Sequence, residues 1–202
     1  MTTALLSSTY FGPVQWYQKL CRYDRVLIEH CDAYQKQTYR NRCLIATTQG
    51  VQALTVPVVH SRDAQQDREV IKISDHGNWR HLHWQALQTA YGDSPFFEYY
   101  EDDLRPFFTE RWELLYDFNE AIRLKMCELL DIHPVVSHTT QYHPSPAPND
   151  FRDAIRPKHP LPDAHFEPRP YYQVYQQKHG FLPNLSILDL LFNMGPESIY
   201  YL

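Results

Sequence analysis

Hydrophobic and polar positions divide the chain into a strand-rich first part and a helical part that follows. Apolar runs at residues 4–10 and 25–30 flank the segment "PVQWYQKLC", in which Pro13 suits the first turn of a helix. A strand, a short helix and another strand predict the start of a parallel arrangement. Two β-prone runs, "TYRNRCLIAT" and "VQALTVPVV", are separated by "TQG" and predict a β-hairpin with Gly50 in its turn. Residues 68–74 alternate well enough for a further strand.

From Asn78 onward the apolar residues recur with the period of a helix. Asn78 is a suitable N-cap for the first of these helices. Ser94 and Pro95 predict the start of a second helix, and Pro106 should end or kink it because proline has no backbone N–H. The segment 111–130 has the strongest helical period, so its apolar stripe should pack on the sheet.

The sequence pattern changes after Ile132. Residues 134–170 contain nine of the fifteen prolines and no long helical period, which predicts a functional lid or a disordered linker. Apolar residues return in "LSILDLLF", which should pack back on the core as a short C-terminal helical segment. The expected fold is α/β: a mixed sheet with an N-terminal β-α-β unit and a β-hairpin, packed by helices. We expect one domain overall, with an α/β core at 1–132, a proline-rich loop or lid at 133–170 and a C-terminal segment at 171–202.

Composition limits the classes of function. An apolar share of 43% and an aromatic share of 14% suffice for a core without disulfides, and the four cysteines show no C-x-x-C spacing. The net charge of −5 argues against a nucleic-acid partner. No apolar run approaches the roughly 20 residues that span a bilayer, and "MTTALLSSTY" lacks the basic region of a signal peptide. A cytoplasmic protein with no membrane span is therefore expected.

Positive charge gathers at one place in this acidic chain, because Lys36, Arg40 and Arg42 lie within seven residues. In an extended "YRNR" the two arginines would project from one face, about 7 Å apart, and could hold a phosphate or carboxylate. Lys36 would add charge from the loop. The alternative is a solvated strand face, or arginines paired with nearby acids such as Glu29 and Asp32.

Histidines and one aspartate are the candidates for base chemistry. His83 falls on the apolar face of its helix, where it is either a hydrogen-bonded core residue or a general base at the end of the sheet. Asp24 precedes an apolar strand, where it either orients a ligand or caps local backbone. His138 and His143, followed by basic residues, belong either to a lid or to an ordinary surface. His81 is about 200° from His83 on a helix, so no metal site is predicted.

Recognised cofactor and catalytic motifs are absent from the sequence. There is no glycine-rich dinucleotide motif, no P-loop, no G-x-S-x-G and no H-E-x-x-H, and glycine is scarce at 6 residues. The sequence therefore names no cofactor. Side chains, rather than a glycine-rich loop, should hold any phosphate.

Several blocks, in order, resemble the WbqC-like family: "YFGPVQWYQKL", "YDRVLIEHCDAYQKQTYRNRCLI", "LTVPVV", "NWRHLHWQALQTAYGDSPFFEYY" and "GFLPNLSILDLLFNMG". The likeness covers about residues 7–132 and 170–195. Family members commonly open with a glutamine-proline pair, where this chain has Ser8-Thr9. The family is associated with bacterial cell-surface polysaccharide gene clusters, and it supplies no catalytic roles to carry over. The matching positions that we take as substrate-binding candidates are Tyr10, Gln15, Lys36, Arg40, Asn41 and Arg42.

The resemblance and the charge pattern together favour a transferase that acts on an anionic activated donor in O-antigen-like polysaccharide biosynthesis. In this hypothesis the arginines hold the small anionic ligand and His83 or Asp24 supplies base chemistry. The lack of a catalytic motif, with the tyrosine-rich ends of the last segment, supports an alternative: a non-catalytic binding or assembly module. A protein partner or a homo-oligomer would then be expected.

Overall fold

Three parallel strands form the central sheet of the computed structural model, which describes residues 1–32, 35–59, 71–143 and 148–202. The strands are β1 (Thr3–Ser7), β2 (Arg25–Glu29) and β5 (Val136–His138), in the order β1-β2-β5. Helix α1 (Val14–Arg22) connects β1 to β2 and follows Pro13. The predicted β-α-β unit is thus confirmed, as is the α/β class.

The carboxyl ends of the three strands lie at one edge of the sheet. Ser7 is opposite Glu29, and His138 is opposite Ile28. On the other side of β1, the Leu5 N–H donates to the Asn149 carbonyl and the Phe151 N–H donates to the Leu5 carbonyl. The proline-rich segment therefore contributes backbone on both sides of the sheet, through β5 and through residues 149–151. Two stretches of this segment thus pair with strands of the sheet, and Phe151, Ala154 and Ile155 are buried.

The predicted hairpin consists of β3 (Arg42–Thr47) and β4 (Gly50–Thr55). Gly50 has a φ of 105°, which glycine adopts without the steric cost of a side chain. β3 begins only at Arg42, because residues 39–41 form a turn. Of the further strand predicted at 68–74, residues 68–70 lie outside the described part. Ile73 and Lys72 make single β-bridges, to Val58 and Leu114.

Helices surround this framework. Pro106 begins a new helix after the one that ends at Leu104, as its missing N–H predicts. Ser94 does not cap the helix that begins at Phe97, because its Oγ donates to the Tyr91 carbonyl. Asn78 precedes its helix in a left-handed conformation without a side-chain cap. Within the described ranges, no helix combines the length and apolar character needed to cross a membrane. The helices are α2 (Trp79–Tyr91), α3 (Phe97–Leu104), α4 (Pro106–Thr109), α5 (Leu115–Leu129), α6 (Gln176–His179) and α7 (Ile187–Met194), with 3₁₀ turns at His76–Asn78 and Gly195–Tyr201.

Helix α7 is buried almost entirely, and its one acid is satisfied by neighbouring segments. The Asp189 carboxylate accepts from Tyr91 Oη at 2.8 Å, from Tyr171 Oη at 2.7 Å and from Gln173 Nε2 at 2.8 Å. Burial raises the pKa of Asp189, and the three donors oppose that rise. This network joins the C-terminal segment to α2, so the predicted return of the chain to the core is observed.

A buried ion pair fixes the proline-rich segment against α1. Lys19 Nζ lies 2.6 Å from Asp163 Oδ2, and the two side chains are 0% and 3% exposed. Gln15 Nε2 donates to the same oxygen at 2.8 Å. The Lys19 ammonium also lies 4.2 Å from the centre of the Phe151 ring, which adds a cation–π contact.

We predict that Asp163→Asn lowers the free energy of unfolding by about 3–5 kcal/mol, because it leaves the Lys19 charge buried without a counter-charge. Urea unfolding at pH 7 measures the loss. Glu113→Gln is the matched control: it removes an acid from an exposed pair with Lys72 and should cost less than about 1 kcal/mol. The double variant Lys19→Met/Asp163→Leu should recover most of the stability, since no unpaired charge remains. Equal losses in Asp163→Asn and the control would contradict this account.

Candidate functional site

A polar cavity of about 100 Å³ opens beside the carboxyl end of β1. Three guanidinium groups, those of Arg40, Arg152 and Arg156, line it together with the carboxylates of Asp32 and Asp153. We call this the arginine cavity. Ligands of open α/β sheets bind outside the carboxyl ends of the strands, so the cavity occupies the position at which this class of fold places a site.

Arg40 reaches the cavity from the turn that precedes β3. Its Nη2 donates to Ser7 Oγ at 3.3 Å and forms an ion pair with Asp32. The expectation of an extended "YRNR" with both arginines on one face is wrong, because only Arg42 belongs to the strand. The turn is fixed from outside: Asn119 Nδ2, on α5, donates to the Arg40 carbonyl at 2.8 Å.

Arg152 forms the rigid wall of the cavity. Its Nη1 donates to Glu29 Oε2 at 3.0 Å, and its other nitrogens donate to the Asp150 carboxylate and the His143 carbonyl. The Arg152 and Glu29 side chains are only 6% and 0% exposed. Thr139 Oγ1 completes the site by donating to Glu29 Oε1 at 2.6 Å. Arg152 is thus committed to internal partners and shapes the cavity.

Arg156 is less fully paired. Its Nη2 donates to Gln35 Oε1 at 2.7 Å and forms an ion pair with Asp153. Its Nε is buried and has no hydrogen-bond partner among the residues that the structure describes. A buried donor without an acceptor is costly, so this Nε is a donor that the contacts among the described residues leave unsatisfied.

Four of the predicted site residues lie in a separate group, in which Tyr10, Asn41 and His83 are buried and Arg42 is half-buried. Tyr10 Oη and His83 Nδ1 are 2.9 Å apart. Burial lowers the pKa of His83 to about 4, although a hydrogen bond that the ring donates to the Thr55 backbone opposes this shift. Arg42 is opposite Thr55 in the hairpin, and Asn41 Nδ2 donates to the Val56 carbonyl next to it. His83 is therefore neutral at pH 7 and packed in the core. We call Tyr10, Asn41, Arg42 and His83 the His83 cluster.

The remaining predicted residues lie outside both groups. Gln15 belongs to the network around Asp163, and Lys36 is exposed in its turn. Asp24 precedes β2 and so lies at the amino edge of the sheet, where its carboxylate accepts from the Thr2 N–H at 2.6 Å. That backbone hydrogen bond is the main cause of a lowered pKa for Asp24. None of the three lines the arginine cavity.

Burial of His83 predicts that this residue contributes a pH-dependent loss of stability. An unfolded histidine has a pKa near 6.5, so between pH 6.5 and about 4 the unfolded state binds a proton that the folded state does not. Stability therefore falls as the pH falls, by about 1.4 kcal/mol per unit, or about 2 kcal/mol from pH 7 to pH 5. His83→Gln should remove this contribution in urea unfolding at both pH values. His81→Gln, which changes an exposed histidine on the same helix, should keep it; an unchanged pH dependence in His83→Gln would exclude the explanation.

Comparison with known proteins agrees with the resemblance found in the sequence. The model of the WbqC-like protein family matches residues 8–154 and 163–201. The uncharacterized protein Rv1507c of Mycobacterium tuberculosis (strain ATCC 25618 / H37Rv) is 28% identical, over 98% of this chain and 96% of that protein. No solved structure matches the chain. Because the family model covers most of the sequence, this chain belongs to the WbqC-like protein family.

Proposed function

We propose that the protein is a transferase that binds the anionic group of an activated donor in the arginine cavity. The observation that carries the proposal is the convergence of three guanidinium groups on one polar cavity at the carboxyl end of a parallel sheet. The association of the WbqC-like family with cell-surface polysaccharide gene clusters supports donors used in the biosynthesis of such polysaccharides.

The hydrogen-bond donors around the cavity favour an anion. Each guanidinium there has a carboxylate partner, so the attraction for an anion comes from unused donors rather than from an excess of positive charge. A guanidinium has five N–H donors in a planar fork, so Arg156 can bind Gln35 and Asp153 and still donate to a ligand. A phosphate bridging Arg40 and Arg156 would accept charge-assisted hydrogen bonds and would satisfy the buried Nε of Arg156.

The size of the cavity indicates which part of a ligand it holds. At about 100 Å³ it is smaller than the roughly 300–1,000 Å³ of a typical ligand pocket. It therefore suits a single phosphate or carboxylate group, and the rest of a donor would lie along the edge of the sheet. The acceptor would approach from the same side.

The His83 cluster supports the arginine cavity indirectly, through the turn that carries Arg40. Asn41 is held by two hydrogen bonds to Val56, one from its side chain and one through its carbonyl. These bonds fix the residue next to Arg40, so the cluster positions the turn that carries the guanidinium. Substitutions in the cluster would then weaken anion binding indirectly.

An assembly role is the second candidate, and exposed aromatic residues favour it. The side chains of Tyr172 and Tyr200 in the C-terminal segment are 46% and 73% exposed, and aromatic residues are enriched at protein interfaces. Light scattering that finds only monomers, together with a negative pull-down, would count against this candidate.

We predict that inorganic phosphate, or the nucleotide sugar UDP-glucose, raises the melting temperature of the wild-type protein and binds in calorimetry. Arg156→Gln and Arg40→Gln should each weaken binding about tenfold or more, because each removes charge-assisted hydrogen bonds worth about 1.5–3 kcal/mol. Arg111→Gln is the control, since this arginine is 83% exposed and lies away from the cavity. Circular dichroism confirms that each variant is folded. No binding by the wild type, or equal weakening by Arg111→Gln, would refute the proposed site.

A further inference from the structure

Three side chains form a chain of polar contacts at the carboxyl end of β5. Tyr116 Oη and His138 Nδ1 are 2.6 Å apart, and His138 Nε2 lies 3.6 Å from Glu120 Oε2. Burial raises the pKa of Tyr116 above its ordinary value, so the phenol keeps its proton and donates it to Nδ1. The Nε2–H then faces the Glu120 carboxylate. Nucleophile, base and carboxylate stand in a comparable order in catalytic triads.

Neighbouring side chains hold this arrangement in place. Arg123 donates to the Glu120 carboxylate from Nε at 3.1 Å and from Nη2 at 2.8 Å. Both residues lie on the same face of α5 as Tyr116. The ring of His30, which follows β2, lies 3.9 Å from the ring of Tyr116, centre to centre. The His138 side chain is nevertheless 44% exposed, so it is open to water.

The chain of contacts lies at the same edge of the sheet as the arginine cavity. Thr139, next to His138, donates to Glu29, and Glu29 accepts from Arg152 in the cavity wall. The strands β1, β2 and β5 are adjacent, and neighbouring strands are about 4.8 Å apart, so about 10 Å separates the end of β5 from that of β1. A donor anchored in the cavity would thus extend its reactive atom toward Tyr116.

We propose that Tyr116, His138 and Glu120 form a proton relay that deprotonates the acceptor hydroxyl in the transfer reaction. The inference rests on the proposed function and adds the base to it. The hydroxyl proton moves to Tyr116 Oη while the phenol's own proton moves to His138 Nδ1. The acceptor oxygen bonds to the electrophilic atom of the donor, and the bond to the leaving group breaks with its electron pair, which stays on the anion in the arginine cavity.

The relay suits a phenol whose proton is hard to remove. Tyr116 gains one proton as it loses another, so no phenolate forms. The resulting imidazolium of His138 faces Glu120, which stabilises its charge. Nδ1 then releases the proton that it received to water, which restores the starting tautomer with its proton on Nε2. Tyr116 is the catalytic residue of this scheme, and His138 and Glu120 act through it.

Turnover of two donors, with water or glycerol supplying the acceptor hydroxyl, tests the relay: UDP-glucose, by release of UDP, and acetyl-CoA, by release of free thiol. With at least one of them, Tyr116→Phe should lower the wild-type rate about 100-fold or more, the range that acid–base catalysis supplies. Phosphate binding should stay unchanged. His138→Ala should be slowed similarly and should recover in added imidazole, because the site is exposed. His133→Ala is the matched control, since His133 is an exposed histidine 3.2 Å from Asp131 and should leave the rate unchanged.

The outcomes separate this inference from the proposed function. Failure of the wild type to bind phosphate overturns the arginine cavity as an anion site, and the relay with it. Intact phosphate binding with no turnover of either donor, or with full turnover in Tyr116→Phe, overturns the relay alone. Loss of phosphate binding in Tyr116→Phe also overturns it, because the residue would then serve binding. A His138→Ala variant that imidazole does not rescue would assign His138 a structural role.

Discussion

The carboxylate of Glu29 is the constraint on which the rest of the structure depends. It ends the central strand with a side chain that is 0% exposed, and a buried charge is tolerated only when it is paired and hydrogen-bonded. Arg152 supplies the charge, and Thr139 and the Cys31 N–H supply further donors. Thr139 and Arg152 belong to two places in the proline-rich segment, so satisfying Glu29 holds that segment, which includes β5, against β2.

The same constraint explains why a cavity forms there. The sheet has three short strands, and prolines in the covering segment cannot donate to a strand ladder. Beyond the strand ends, Arg40 and Arg152 donate to side-chain oxygens and to the His143 carbonyl. Arg152 is consumed by this structural task, whereas Arg156 keeps a buried Nε without a partner among the described residues. A space of about 100 Å³ lined by guanidiniums follows from this division.

Local pattern predicted those elements whose causes are local. The β-α-β unit follows from two apolar runs around Pro13, and the hairpin from Gly50 between two β-prone runs. The turn at Arg40 could not be foreseen, because Asn119, 79 residues away, fixes its carbonyl. The proline-rich segment has the composition of a linker, yet Arg152 is bound by Glu29, 123 residues away.

The candidate site shows the same limit. The sequence identified Arg40 as a candidate. It did not indicate that His138 contacts Tyr116 and Glu120 of α5, because the pairing of β5 with β2 brings His138 to them. Helical spacing likewise placed His83 on a buried face without revealing that Tyr10 would occupy its Nδ1.

The environments of the two histidines decide which one can serve as the base. His83 is buried in the core, where burial lowers its pKa to about 4 and Tyr10 Oη contacts its Nδ1. A proton taken up near neutral pH would therefore place an uncompensated charge among aromatic rings. The His138 side chain is 44% exposed, and its Nε2 lies 3.6 Å from the Glu120 carboxylate, so its ring is open to water and has an acid beside it. The proposed relay therefore uses the histidine at the exposed end of β5, and the histidine of the helix stripe belongs to the core.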